Sequence, residues 1–396
     1  MARRLTTALG VLALVVPLSG CWLQPGVNSA RSSWNPGEQQ LTAATVGGVT
    51  ELWTVQPAPG SAINSPVSFD GGVFVTSQSG RVARLDASTG ATHWALPISL
   101  DFAGAPIWQQ GHLLVPAPLV DGGTVLVLDP ATGDPTDFLR HANIREIATA
   151  GGQVAFLSVF SVHPFTGTYR VTWKYTPTYF AGGSGPSRSF AIVGDRIQWP
   201  LNTLARGYSS ACPPQPPESG LDGCAPDWTT DLGGVASSPA GLGDSQVVYG
   251  DSSGTVSVLD TASGAVRWTA ETGGSIEQAP AVTNDGIFVA TNNFPASDRR
   301  VVAVPAAGCG TSSCTPSWAG ILPDAATAAP VVAGDVVYVT VGSDVLAFPA
   351  GGCGTATCAP LAQVSAGARI TGGPIVDDGR LVVGTEDGHV VAFGLT

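Results

Sequence analysis

Seven cysteines carry most of the chemistry that this chain could perform. Two pairs share one setting, Ala306-Ala-Gly-Cys309-Gly-Thr-Ser-Ser-Cys314-Thr-Pro-Ser-Trp318 and Gly351-Gly-Cys353-Gly-Thr-Ala-Thr-Cys358. A third pair, Cys212 and Cys224, precedes Trp228 with the same Cys-x-Pro-x-Trp tail, and Cys21 stands alone near the N-terminus. Closely spaced thiols can ligate zinc, cycle between dithiol and disulfide, or stand oxidised as staples. The other reactive side chains are dispersed. The five histidines, His93, His112, His141, His163 and His389, have no ligand spacing. No phosphate-binding loop or His-Glu-x-x-His pair occurs. Asp377-Asp378-Gly379 has the composition of a weak calcium loop but more commonly forms a tight turn.

The N-terminus sets the redox compartment. Arg3 and Arg4 precede an apolar run from Leu9 to Leu18. That run is shorter than the ~20 residues needed to span a bilayer, and it has the anatomy of a secretory signal. It ends in Leu18-Ser19-Gly20-Cys21, which resembles the lipobox of bacterial lipoproteins. The resemblance implies a signal peptide over residues 1–20 and lipidation of Cys21, two acyl chains giving the stable anchoring that one does not. Residues 21–45, with Pro25-Gly26 and Asn35-Pro36-Gly37, are expected to form a tether, and residues 46–396 a single folded domain. The expected location is the extracytoplasmic face of the cell membrane, with membrane lipid as one partner through Cys21.

The chain has 17 basic and 29 acidic residues, a formal net charge of −12, and Lys174 as its single lysine. An acidic chain without basic clusters argues against nucleic acid as a partner. Gly, Ala and Val dominate, and apolar positions at helical spacing are scarce, so short strands and tight turns are expected throughout.

Those turns and strands recur. Ser65-Pro-Val-Ser-Phe leads through Gly72-Val-Phe-Val-Thr76 and Arg81-Val-Ala-Arg-Leu-Asp86 to a Thr-Gly turn and Trp94. Ser238-Pro239 leads through Gln246-Val-Val-Tyr249 and Val256-Ser-Val-Leu-Asp260 to Ser263-Gly264 and Trp268. Weaker copies start at Ala105-Pro106, Ala279-Pro280, Ala329-Pro330 and Gly373-Pro374. A period of roughly 44 residues built from four short strands is the signature of a β-propeller. The repeats count to eight blades, with seven as the nearest alternative, provided two diverged units lie between Asn143 and Asp231. The last unit lacks a Trp strand, and Thr50-Glu-Leu-Trp-Thr-Val55 has that pattern ahead of the first. The expected architecture is all-β, a ring of four-stranded antiparallel blades closed by this N-terminal strand. Such closure removes the open sheet edge of a linear array.

The repeats resemble the quinoprotein-type (PQQ-like) propeller unit: an apolar strand of the Val-Tyr-Val kind, Asp/Ser-Gly, a second apolar strand, Leu-Asp-Ala-x-Thr-Gly, then Trp. As a lipid-anchored propeller the chain is also similar to the propeller lipoproteins of the outer-membrane barrel-assembly machinery, which bind other proteins. The first resemblance implies an enzyme reading that the residues can test. Alcohol-oxidising quinoproteins carry adjacent cysteines under the cofactor, a Trp floor, a calcium set of Glu, Asn and Asp, and an Asp base; some add Cys-x-x-Cys-His. This chain has neither adjacent cysteines nor Cys-x-x-Cys-His.

Alignment within the chain places the cysteines. Cys309 to Cys314 follows Val301-Val-Ala-Val304 where Asp260 to Gly264 follows Val256-Ser-Val-Leu259, and Cys353 to Cys358 follows Val345-Leu-Ala-Phe348 in the same way. With Cys21 set aside, the even remainder in an oxidising compartment reads as disulfides, Cys212–Cys224, Cys309–Cys314 and Cys353–Cys358. Zinc would require loops of different blades to meet. Asp86, Asp129 and Asp260, and Trp53, Trp94, Trp228, Trp268 and Trp318, recur at fixed repeat positions and so read as architecture.

One stretch departs from the repeat, Ser158 to Phe180. There Tyr169, Trp173 and Tyr175 alternate with Arg170 and Lys174, and Tyr169, Trp173, Lys174 and Tyr175 form the candidate binding surface, because exposed Tyr and Trp favour binding sites. The expected function is a monomeric, non-catalytic envelope lipoprotein that scaffolds a protein partner, without cofactor or metal. The rival readings are a PQQ- or sugar-dependent oxidoreductase and a small-ligand or glycan-binding sensor module.

Overall fold

The computed structural model describes residues 21–98, 104–117, 124–140, 144–150, 153–158, 162–166, 170–171, 189–209, 226–292 and 299–396. Its strands fall into eight sheets. In the first, Val67–Phe69, Gly72–Thr76, Arg81–Asp86 and Thr92–Pro97 pair antiparallel in sequence order. The other innermost strands are Ile107–Gln109, Ile144–Ala150, Ala191–Val193, Ala240–Leu242, Ala281–Val282, Val331–Ala333 and Ile375–Asp377. Each touches the next, and the last touches the first, so the sheets close into a ring. The diverged region between Asn143 and Asp231 supplies two of these sheets.

The burial pattern follows from that ring. A blade is covered by neighbours on both faces, so its middle strands read as runs of β-branched and aromatic residues instead of alternating. Every residue of Gly72–Thr76 and of Val336–Val341 is buried, whereas the outer strand Thr92–Pro97 is largely exposed. The core is accordingly a set of inter-blade layers. One joins Val302 and Val304 to Val248 and Val258, and the next joins Phe288 to Trp318, Val339 and Phe348.

Closure runs through Thr50–Val55, which pairs antiparallel with Val390–Gly394 as the fourth strand of the last blade. Its Trp53 donates the indole N–H to the Ala87 carbonyl of the first blade at 3.1 Å. The same bond recurs around the ring, from Trp94 to Pro130, Trp228 to Thr261 and Trp318 to Ala350, at 2.8–3.2 Å. The recurring aspartates Asp86, Asp129 and Asp260 build the turns that receive Trp53, Trp94 and Trp228, whereas Pro349 precedes the residue that receives Trp318. Asp86 Oδ1 accepts the N–H groups of Ser88 and Thr89 and the Thr89 hydroxyl, and Asp260 does the same with Ala262 and Ser263. The turn glycine then lies flat on the indole. Gly264 has φ +70°, open to glycine at no steric cost, and a Cβ there would run into the Trp228 ring.

Residues 21–45, expected as a tether, pack inside the propeller instead. Trp22 is 2% exposed and Leu41 fully buried, both within the core shared by the first and last two blades. An inner strand has one edge facing the channel, and its unpaired N–H groups need acceptors. The N-terminal segment supplies them as it circles the channel. The carbonyls of Leu23, Ser29, Ala30, Ser32 and Ser33 accept the N–H groups of Trp108, Ile192, Gly241, Val282 and Val332, each at 2.7–2.8 Å. Asn35 closes the circuit by donating to the Val376 carbonyl at 2.9 Å. Each of those partners sits in the innermost strand of a different blade.

Candidate functional site

The threaded segment divides the channel. On one side lies a cavity of about 270 Å³, floored by Trp22, Gly26, Arg31 and Ser33. Its walls come from the residues that lead into the inner strands, among them Ser65, Ser238, Thr327 and Thr371. These are the Ser-Pro, Ala-Pro and Gly-Pro positions of the repeat and their neighbours, so the repeat itself lines the cavity with hydroxyls and small side chains. Arg31 is buried, and burial lowers its pKa to about 10. The segment winds tightly at this floor: Gly26, Val27, Arg31 and Ser33 all have positive φ.

On the other side the segment meets the rim made by each blade's first turn. Buried Glu38 holds that end, its carboxylate accepting the N–H groups of Gln40, Leu41 and Gly379 at 2.7–3.0 Å. Gln40 reaches Asp378, and the Ala43 N–H donates to Asp335. Cys21 emerges at the same rim. Its thiol is pushed up, first by burial and then by the nearby charge of Asp377. Asp377 is itself raised to about 6, chiefly by burial, although its Oδ2 accepts a 2.5 Å bond from the Ser68 hydroxyl.

The cysteine loops line neither the cavity nor the cleft beside Asp377. Cys309 and Cys314 stand at disulfide distance with Cα atoms 5.6 Å apart, and Cys353 and Cys358 likewise at 5.7 Å. They do more than tighten their own hairpins. Ser313–Cys314 pairs parallel with Thr269 and Ala270 of the preceding blade, and Thr357–Cys358 with Ala319 and Gly320 of the one before its own. Each loop therefore reaches back and covers the exposed outer edge of a neighbour, with Cys314 and Cys358 buried beneath. The turn position expected from the repeat is right for the loop's origin and misses this backward reach.

Several sequence candidates fall elsewhere. Cys212, Cys224, Tyr169, Trp173, Lys174 and Tyr175 lie outside the described residues, as does the signal segment 1–20. The sequence reading missed the threaded segment altogether. Its one available signal was composition: Trp22, Val27, Trp34 and Leu41 are bulky apolar residues that a solvated tether would not carry.

The donor set for a quinone can be tested against this geometry. The cavity has neither a carboxylate nor a cysteine in its lining. Among the described residues no three His, Cys, Asp or Glu side chains converge to hold a metal ion. Among the described residues, those that line this cavity do not fit a calcium-supported quinone.

A closed ring of four-stranded blades locked by Trp-on-glycine contacts defines a β-propeller of the PQQ-like class. Within that class, residues 38–140 and 225–393 match the family described as outer membrane protein assembly factor BamB, and the chain belongs to that family. No curated protein sequence matches it. Among solved structures it is similar in fold to the quinohemoprotein alcohol dehydrogenase of Comamonas testosteroni, with a TM-score of 0.70 at 13% identity over 96% of this chain and 81% of that one. It is similar also to BamB of Moraxella catarrhalis, with a TM-score of 0.64 at 15% identity over 87% of this chain and 99% of that one. A europium-containing methanol dehydrogenase gives 0.68 at 13% identity over 95% and 98%. These likenesses concern the fold, which hosts enzymes and non-enzymes alike.

Proposed function

We propose that this protein is a membrane-anchored, extracytoplasmic propeller that scaffolds other envelope proteins and has no catalytic centre of its own. One observation carries the reading: the chain's own residues 22–35 occupy the channel and satisfy the inner strands from blade to blade. With the segment filling much of the channel from within, the rims and blade edges are the larger surfaces open to a protein partner. Membership of a family described by outer-membrane protein assembly supports a protein-binding role. The lipobox-like Leu18-Ser19-Gly20-Cys21 supports the anchor, and among the described residues no helix is long and apolar enough to cross a membrane.

In-cell crosslinking of the tagged protein, followed by purification from membranes and mass spectrometry, tests this. A protein partner recovered in near-equal amount with the wild type, and reduced with a Cys21→Ala variant, is the expected result. Recovery of the propeller alone despite efficient crosslinking would overturn it. The hydroxyl-lined cavity favours a second reading, a small polar ligand held in the channel. Saturable binding abolished by Thr371→Val together with Ser238→Ala would support that alternative.

A further inference from the structure

Cys21 has no spacer between itself and the folded ring. Trp22 exchanges two backbone hydrogen bonds with Ser68 of the first inner strand, at 2.9 and 3.0 Å. The next residue, Leu23, already accepts from Trp108 of the second. One residue spans at most ~3.6 Å, so anything attached to Cys21 is held within about that distance of the blade. The Cys21 side chain lies beside Asp70 and Asp377, at the first turns of the first and last blades.

We propose that the rim formed by the blades' first turns is seated directly against a lipid bilayer, positioned there by Cys21 without a tether. This rests on the reading of Cys21 as the lipidated residue. Acyl chains on Cys21 enter the hydrocarbon, and the interfacial layer outside that hydrocarbon is only ~5–8 Å deep on each side. A residue bonded directly to Trp22 therefore brings the surrounding rim into the headgroup layer. The propeller is held with its ring facing the membrane, and the opposite rim, with the cavity between Ser65, Ser238 and Thr371, points to the aqueous side.

The rim brought to the headgroups is acidic. Asp70, Asp195, Asp244, Asp285, Asp335 and Asp378 all occupy first turns, between an inner strand and its neighbour. Covalent attachment and not charge attraction sets this orientation, and zwitterionic lipid suits the rim better than anionic lipid. Beside Cys21 a cleft of about 320 Å³ opens between the first and last blades, bordered by Phe69, Asp70, Asp377 and Arg380, and gives the sulfur's substituent a way out.

The full chain, processed in a lipoprotein-competent host and reconstituted into phosphatidylcholine vesicles carrying a headgroup-attached quencher, reads the orientation. A fluorophore is introduced through an unnatural amino acid at Asp244, an exposed first-turn residue, or at Gln78, exposed on the opposite rim. Quenching at position 244 should exceed that at 78 by several-fold. Inserting a twenty-residue Gly/Ser spacer between Cys21 and Trp22 should abolish the difference, because such a linker reaches ~25 Å. Equal quenching in the wild type, or stronger quenching at 78, would overturn the orientation. A difference that survives the spacer would overturn direct attachment as its cause. Intact-mass measurement separates the underlying reading: unmodified Cys21 sinks the lipid anchor itself, whereas acylated Cys21 with equal quenching sinks only the seating.

Discussion

Gly241 is a point of close approach between the threaded segment and a blade, and its substitution probes whether residues 22–35 occupy the channel in solution. The Gly241 N–H donates to the Ala30 carbonyl at 2.7 Å. A Cβ at Gly241 would stand 2.7 Å from the Ala30 Cβ and 3.1–3.2 Å from the Val193 methyls. The first approach is too short for carbon atoms, so either the segment or the strand must move. Overpacking of this kind costs ~1–3 kcal/mol, and replacing a strand glycine by alanine returns ~0.5–1 kcal/mol of backbone entropy. Gly241→Ala should therefore destabilise by about 1–2 kcal/mol, and across a ring of this size that lowers Tm by only about 2 °C. The decisive quantity is the coupling. Ala30→Gly removes the carbon that is struck, so the double variant should recover about 1 kcal/mol relative to additivity. Calorimetry of the four proteins, with limited proteolysis across residues 21–45, measures both. Single and double variants that add within error, with no change in proteolysis, would refute the seating of the segment on that strand.

Gly264→Ala should destabilise by ~2–4 kcal/mol, since it combines a left-handed backbone with a collision against Trp228, whereas Gly60→Ala, with φ +71° and open space around its Cβ, should cost only ~1–2 kcal/mol; equal losses would remove the docking argument. Asp377 has a folded pKa of about 6, above its unfolded value, so its contribution is fully present below pH ~4 and is lost as pH rises through 6. Asp377→Asn should accordingly flatten stability between pH 4 and 7 and raise it at pH 8 by ~1–3 kcal/mol; an unchanged pH profile in the variant would contradict the burial argument. Asp86 and Asp260 run the other way, held at about 2 chiefly by the Thr89 hydroxyl and by Arg267 respectively, and their contributions should fade only as pH falls from 4 towards 2, with Asp86→Asn and Asp260→Asn weakening that acid transition. Cys309→Ser with Cys314→Ser should lose ~2 kcal/mol and increase aggregation, because the loop leaves the outer edge of the preceding blade unpaired; stability lost without aggregation would separate the staple from the edge cover.

The sequence by itself determined the repeat and most of what the repeat dictates. A strand pattern recurring every ~44 residues fixes blade size, the recurrent Asp and Gly fix the turn, and the Trp that follows fixes the lock between blades. These are local rules, legible because each unit restates them. Ring closure by Thr50–Val55 was legible too, since a missing strand at one end matched a spare strand at the other. What only the tertiary structure decided is where unrepeated residues go. The segment 22–45 has no internal pattern, and its order comes from inner-strand N–H groups that exist only once eight separate units have closed around it. For the same reason the cysteine loops were placed on the right turn but not on the neighbouring edge they cover, because that edge belongs to the preceding blade and is presented only by the ring. Backbone groups that need partners are anonymous in sequence, and the fold alone brings their acceptors within reach.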